Sequence, residues 1–101
     1  MLGDLVIDYD RRRVTVAGRA VELTPTEYEV LRVLSAHAPR VLTYRSLLRR
    51  AWKRSPGRID PKLVQAVMKR LRHKLREDAA RPVYIHNERG VGYYMPPPGD
   101  G

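Results

Sequence analysis

The chain has 101 residues, 43% hydrophobic and 31% charged, which predicts a single globular domain over residues 1–101. Its 20 Lys and Arg exceed its 11 Asp and Glu, and a net charge of +9 indicates a polyanionic partner such as a nucleic acid. The absence of cysteine excludes disulfides, thiolate metal sites and cysteine nucleophiles. No apolar run approaches the roughly 18 residues of a membrane span, so we expect a cytoplasmic protein with no membrane partner.

The positive charge is concentrated in the middle of the chain. Residues 40–76 contain thirteen basic residues and one acid, Asp60, a net of +12, whereas residues 1–39 are net −1 and residues 77–101 are net −2. Sixteen of the basic residues are arginine, whose planar guanidinium suits bidentate contacts with phosphate or guanine. The distribution predicts one basic surface.

The first 23 residues predict a small antiparallel meander. Three β-rich runs of three residues, separated by turn residues, are typical of short strands: Leu5–Ile7, Val14–Val16 and Val21–Leu23.

Two helices follow. Thr24 and Glu27 form a T-x-x-E capping box around Pro25, which suits the first helical position, and Pro39 ends this helix. A short apolar link, 41–42, leads to Thr43, a second N-cap candidate. The second helix carries its apolar residues on one side: Leu47, Leu48, Ala51 and Trp52.

After a basic loop over Lys53–Ile59, Asp60 as N-cap and Pro61 begin the longest predicted helix, which extends to about Asp78. At about 100° per residue, its apolar face contains Leu63, Val64, Val67, Met68, Leu71 and Leu75. The opposite face contains Lys62, Gln65, Ala66, Lys69, Arg72, His73 and Arg76, with Arg70 and Lys74 on one flank. A solvated helix face is the alternative interpretation, but such faces usually include acids, and none lies between Asp60 and Glu77.

The C-terminal region predicts a β-hairpin. Strands over Val83–His86 and Tyr93–Met95 flank a glycine-containing tip that presents Arg89. The proline-rich segment 96–101 predicts a frayed tail, so we expect an ordered core over about 4–95.

The motifs LTPTEYEVLRVLSAHAPRVLTYRSLLRRAW (23–52), VMKRLRHKL (67–75) and ERGVGYYM (88–95) closely resemble the DNA-binding effector domain of OmpR/PhoB-type response regulators. The resemblance implies an α+β winged helix-turn-helix with an N-terminal antiparallel four-stranded sheet, three helices and a C-terminal β-hairpin wing. It also implies that helix 61–78 enters the major groove and that the wing, 86–93, reaches the minor groove.

The resemblance also implies which residues of this chain lie at the DNA-contacting positions of the family. In the recognition helix these are Lys62, Ala66, Val67, Lys69, Arg70 and Arg72, and in the wing it is Arg89. The helical wheel places Val67 in the core, so Val67 is not among the predicted DNA-binding residues. The wheel adds Gln65 and His73 to them, because both lie on the basic face. Positions matched to the phosphate backbone, or to packing near it, are Thr43, Trp52 and Tyr93. The loop 53–60 matches a segment that contacts RNA polymerase in some members, and its basic residues are candidates for polymerase or DNA contact: Lys53, Arg54 and Arg58.

These features predict sequence-specific binding of double-stranded DNA by the output domain of a two-component transcriptional regulator in the bacterial nucleoid. The implied partners are DNA, RNA polymerase, a sensor kinase upstream and a second copy in a weak head-to-tail dimer on DNA. The chain contains no receiver domain, so we expect either an excised domain, with a receiver in cis, or a stand-alone regulator.

A basic RNA-binding or ribosome-associated module is the alternative function. An enzyme is not expected, because His37, His73 and His86 lack ligand spacing and no carboxylate cluster suits a divalent metal. We therefore predict no catalytic residues, no metal and no cofactor.

Overall fold

The structure, a computed structural model, describes residues 3–52, 61–77 and 83–96. Its elements follow the order of a winged helix-turn-helix, with strands at both ends of a three-helix unit. They are β1 (Leu5–Asp8), β2 (Arg13–Val16), β3 (Arg19–Val21), α1 (Pro25–Ala36), β4 (Leu42–Thr43), α2 (Tyr44–Ala51), α3 (Pro61–Leu75), β5 (His86–Glu88) and β6 (Gly92–Tyr94). The α+β class is confirmed.

The N-terminal sheet has three strands in the described part of the chain, in the order β1-β2-β3, and all are antiparallel. The four-stranded sheet that the resemblance implied is therefore wrong in its strand count. The fourth short strand, β4, lies in another sheet because its partner is β6. The third strand also begins two residues earlier than predicted, at Arg19.

The second sheet joins the C-terminal hairpin to the start of α2, in the order β4-β6-β5. Leu42 pairs with Tyr93 and Thr43 pairs with Gly92. Gly92 is buried, and a Cβ built on it would lie 1.8 Å from the carbonyl oxygen of Leu42. Only glycine allows this approach, so the pairing that fixes the hairpin depends on Gly92.

The predicted starts of α1 and α2 are confirmed. The Glu27 backbone N–H donates to Thr24 Oγ1 at 3.2 Å, and the Thr24 N–H donates to Glu27 Oε1 at 2.9 Å. Thr43 Oγ1 accepts from the Ser46 N–H at 3.1 Å. Each cap satisfies backbone donors that a helix start leaves without partners.

The third helix ends at Leu75, earlier than the predicted Asp78. Arg76 adopts a left-handed conformation with φ of 57°. The Glu77 N–H donates to the Arg72 carbonyl at 2.9 Å and the Arg76 N–H to the His73 carbonyl at 3.1 Å, the two bonds of a Schellman motif. The sequence does not reveal this helix end, because hydrophobic spacing does not mark a Schellman motif and the left-handed residue is Arg76 and not a glycine.

The three helices enclose the core together with residues of both sheets. Its fully buried members include Leu31, Leu34, Leu47, Val64, Met68, Leu71 and Ile85. Val67 is 2% exposed, as the helical wheel predicted, whereas Leu63 is 37% exposed and does not belong to the core. Within the described residues, no helix combines the length and the apolar character that crossing a membrane requires.

Candidate nucleic-acid interface

A line of exposed side chains runs along the outer face of α3. Lys62, Ala66, Lys69 and His73 follow one another at intervals of four, three and four residues, and all are exposed. These intervals place the side chains in a row on an α-helix. The row combines charged and small residues, which suits close approach to a polyanion.

One flank of this row is held to α1 by Glu27, which is 1% exposed. Lys74 Nζ donates to Glu27 Oε1 at 2.5 Å, and Arg70 Nε lies 3.5 Å from Glu27 Oε2. Burial alone would raise the pKa of Glu27, but hydrogen bonds from Lys74 and the Thr24 N–H, with the charge of Lys74, hold that pKa below its ordinary value. Glu27 thus caps α1 and also pairs with two cations of α3, a second role that its motif did not indicate.

Glu27→Gln should lower the free energy of unfolding of the domain and make that free energy depend less on pH in the acid range. Glutamine retains an acceptor for the capping box but loses the charge that faces Lys74 and Arg70, so we expect a loss of about 1 kcal/mol at neutral pH. Because the folded-state pKa lies below the ordinary 4.5, the contribution of Glu27 is complete above that pH and is lost as the pH falls through the lower folded-state value. Urea denaturation of both proteins over a pH series measures this difference.

The difference between wild type and variant should therefore shrink in acid. Glu22→Gln, which removes an exposed carboxylate, is the control and should change the acid dependence less. A Glu27→Gln difference that stays constant through the acid range would contradict the assigned ion pairs.

The other flank of α3 faces the hairpin through Arg72. Its Nη2 donates to the Ile85 carbonyl at 2.9 Å, its Nε lies 3.8 Å from Glu77 Oε2, and its guanidinium carbon lies 5.8 Å from the centre of the Tyr93 ring. The side chain is largely buried, 14% exposed. The structure thus places Arg72 beside the wing, apart from the exposed row with which the wheel grouped it.

Glu77, whose role no sequence motif indicated, completes this connection. Its Oε1 accepts from the backbone N–H of Val83 at 2.6 Å and from that of Tyr84, and its Oε2 accepts from the Ile85 N–H at 3.2 Å. One carboxylate after α3 therefore satisfies three backbone donors of the segment that enters β5. Its only sequence signal is an acid just after the basic helix.

A groove of about 440 Å³ separates α3 from the wing. Its lining comes from both elements and comprises Gln65, Met68, Lys69, Arg72, His73, Glu77, Asn87 and Tyr93. The structure thereby brings together five predicted site residues, Gln65, Lys69, Arg72, His73 and Tyr93, and adds Asn87. Asn87 was not predicted from the sequence, although it pairs with Tyr93 across the hairpin, which places both residues on the same face of the β5–β6 sheet.

The wing ends in an exposed turn that presents Arg89. The Val91 N–H donates to the Glu88 carbonyl at 2.9 Å, and Gly90 has φ of 76°, the conformation that a type II turn requires at this position. Glu88, also exposed, lies next to Arg89 and places a carboxylate at the same tip.

The residues matched to the phosphate backbone differ in their environments. Tyr93 is buried and forms an edge-to-face pair with Tyr44 at 5.8 Å, and burial raises the pKa of its hydroxyl. Trp52 is partly buried against the core, while Thr43 is exposed at the α2 cap. Tyr93 and Trp52 thus pack within the domain, and their proximity to the phosphate backbone stays a prediction. Asp60, Lys53, Arg54 and Arg58 lie outside the described residues.

The chain is similar in sequence to known transcriptional regulatory proteins. The family model described as "Transcriptional regulatory protein, C terminal" matches residues 18–95. The transcriptional regulatory protein AfsQ1 of Streptomyces coelicolor is 40% identical over 96 residues, which are 95% of this chain and 42% of that protein. The probable transcriptional regulatory protein TcrX of Mycobacterium tuberculosis is 38% identical over 97 residues, or 96% and 40%. The chain thus spans about two fifths of the length of these relatives.

Solved structures show the same fold. The RstA DNA-binding domain of Klebsiella pneumoniae, determined in complex with the RstA box, superposes with a TM-score of 0.86 at 30% identity, covering 96% of this chain and 95% of that one. The response regulator DrrB of Thermotoga maritima, an OmpR/PhoB homologue, gives 0.81 at 35% identity and covers 93% and 42%.

Proposed function

The chain belongs to the family of C-terminal domains of transcriptional regulatory proteins, as an effector domain of the OmpR/PhoB type, and from this premise we propose that it binds double-stranded DNA at specific sequences. The observation that carries the proposal is the exposed row on α3, which lies beside a groove and a wing. RstA, the similar domain determined with its DNA box, supports the same partner for this chain.

In this proposal α3 lies in the major groove, whose width of about 12 Å admits one helix. Lys62, Lys69 and Arg70 contact phosphates or guanine edges, and Gln65 suits adenine. Ala66 in the centre of the row allows the helix to approach the bases closely. The adjacent cations supply affinity that depends on salt, because each phosphate contact releases condensed counterions.

The wing lies over the neighbouring minor groove and inserts Arg89. An arginine at a narrow minor groove responds to A·T-rich shape more than to individual bases. The groove between α3 and the wing accommodates the intervening phosphate strand, with Lys69, His73 and Asn87 as contacts. Arg72 and Glu77 hold the wing at the distance from α3 that this arrangement requires.

The domain acts as the output of a longer two-component regulator, a proposal supported by relatives more than twice its length. A receiver domain and its kinase control the full protein, and RNA polymerase is the second partner of the DNA-bound domain. The isolated domain is a monomer in solution, and two copies pair weakly head-to-tail when they bind direct repeats in DNA. The domain acts in the bacterial cytoplasm.

Selection from random duplex DNA, followed by affinity measurements from about 50 to 200 mM salt, tests the function. We expect one enriched motif and affinity that falls with salt. Lys69→Ala should weaken binding about tenfold across sequences and make the slope of log K against log salt less steep by about 1. Arg89→Ala should instead relax the preference at the edge of the site.

Arg13→Ala is the matched control, because it removes an exposed arginine from β2, which is not part of the assigned interface. It should change neither the slope nor the motif. Preferential binding of structured RNA at equal salt would favour the alternative, an RNA-binding module, and a Lys69→Ala protein with unchanged DNA affinity would refute the assigned interface.

A further inference from the structure

Leu63 is an apolar residue in the first turn of the basic helix α3, and 37% of its surface is exposed. Among the described residues, the large hydrophobic side chains with comparable exposure are Val6, Tyr9, Leu63, Val83 and Val91. A single exposed leucine is ordinary in a soluble protein. A function for Leu63 must therefore be argued from its neighbours on α3.

Leu63 shares one edge of the exposed face with Ala66 and Arg70, which follow it by three and seven residues. Both are exposed, and the Arg70 side chain is 59% exposed. Helical side chains tilt towards the N-terminus, so the isobutyl group of Leu63 covers the beginning of α3. The edge thus presents two apolar groups in its first turns and a cation one turn later.

We propose that Leu63, with Ala66 beside it, contacts the C5-methyl group of a thymine and so selects thymine at one position of the operator. This inference rests on the proposed function, in which the first residues of α3 approach base edges. A leucine has neither donor nor acceptor, and the thymine methyl is the apolar group that base edges present in the major groove. Cytosine at that position would leave the side chain without a partner.

Deoxyuridine provides the test, because it removes the methyl group and keeps base pairing. Each thymine of the selected operator is replaced singly, and binding is measured for wild type and Leu63→Ala. We expect one replacement to weaken wild-type binding about fourfold, the effect of one buried methyl-sized group. In Leu63→Ala most of this difference between the thymine and deoxyuridine operators should disappear, because only Ala66 remains beside the methyl group.

Val6→Ala is the matched control, because it truncates a similarly exposed residue of β1 and should retain the fourfold difference. Thermal unfolding of Leu63→Ala verifies that the variant is folded. Two results would overturn the proposal. In the first, each change from thymine to deoxyuridine costs Leu63→Ala as much affinity as it costs the wild type. In the second, no such change weakens binding by the wild type. Either result leaves sequence-specific binding intact, whereas failure to select any operator contradicts the proposed function itself.

Discussion

A protein carrying Gly92→Ala should melt at least about 12 °C below the wild type, a loss of about 3 kcal/mol or more. The added Cβ would lie 1.8 Å from the Leu42 oxygen, 2.7 Å from the Leu42 carbonyl carbon and 2.9 Å from the Thr43 Cα. All three are backbone atoms, so no side chain can move aside. Either β4 separates from β6 or the hairpin shifts, and both changes remove the wing from its place beside α3.

Gly90→Ala is the matched control in the same hairpin. No atom lies within 4 Å of a Cβ built there, but φ is 76°, so the expected loss is only the conformational cost of about 1 kcal/mol. Thermal and urea unfolding followed by circular dichroism compare the two. Equal losses in both variants would contradict the close approach of β4 and β6 as the reason for glycine at 92.

Local chemistry allowed the helix starts to be predicted. The capping box of Thr24 and Glu27 and the cap at Thr43 involve residues at most three positions apart, so the sequence contains both partners. The burial of Val67 also follows from helical periodicity alone, against the resemblance, which placed that position at the DNA surface.

What could not be predicted depends on distant partners. β4 has only two residues and forms because β6 pairs with it. The sequence around it, at 41–42, therefore predicted only an apolar link. The orientation of Arg72 depends on Ile85 and Tyr93, which are thirteen and 21 positions away. Leu63 follows the apolar period but lies at the margin of the core, where periodicity does not define exposure.

The same limit applies to Glu77, whose sequence context shows only an acid after a basic helix. Its importance follows from where the chain returns, because its carboxylate accepts from the N–H groups of Val83, Tyr84 and Ile85. Ile85 is fully buried, and its carbonyl accepts from Arg72. Arg72 in the last turn of α3 and Glu77 just after the helix thus bind both polar backbone groups of Ile85, the residue that precedes the wing.

Glu77→Ala should therefore destabilise the domain by about 3 kcal/mol, because backbone donors lose their acceptor and Arg72 loses its counterion. Glu77→Gln retains one carboxamide oxygen for Val83 and Tyr84 and should lose about half as much. Urea denaturation of both variants, and of Arg72→Ala alone and combined with Glu77→Ala, measures the coupling. Losses that add independently would contradict a joint action on Ile85.

The consequence for DNA binding can be measured in the Glu77→Gln protein, which we expect to remain folded. If Glu77 and Arg72 set the position of the wing, Arg89 contributes fully only when that connection is intact. Arg89→Ala should then weaken operator binding less in the Glu77→Gln background than in the wild type, while Lys69→Ala weakens binding equally in both. The comparison separates wing position from general instability, since instability alone would affect the contributions of Lys69 and Arg89 alike. Equal effects of Arg89→Ala in the two backgrounds would mean that the wing finds its place on DNA without this connection.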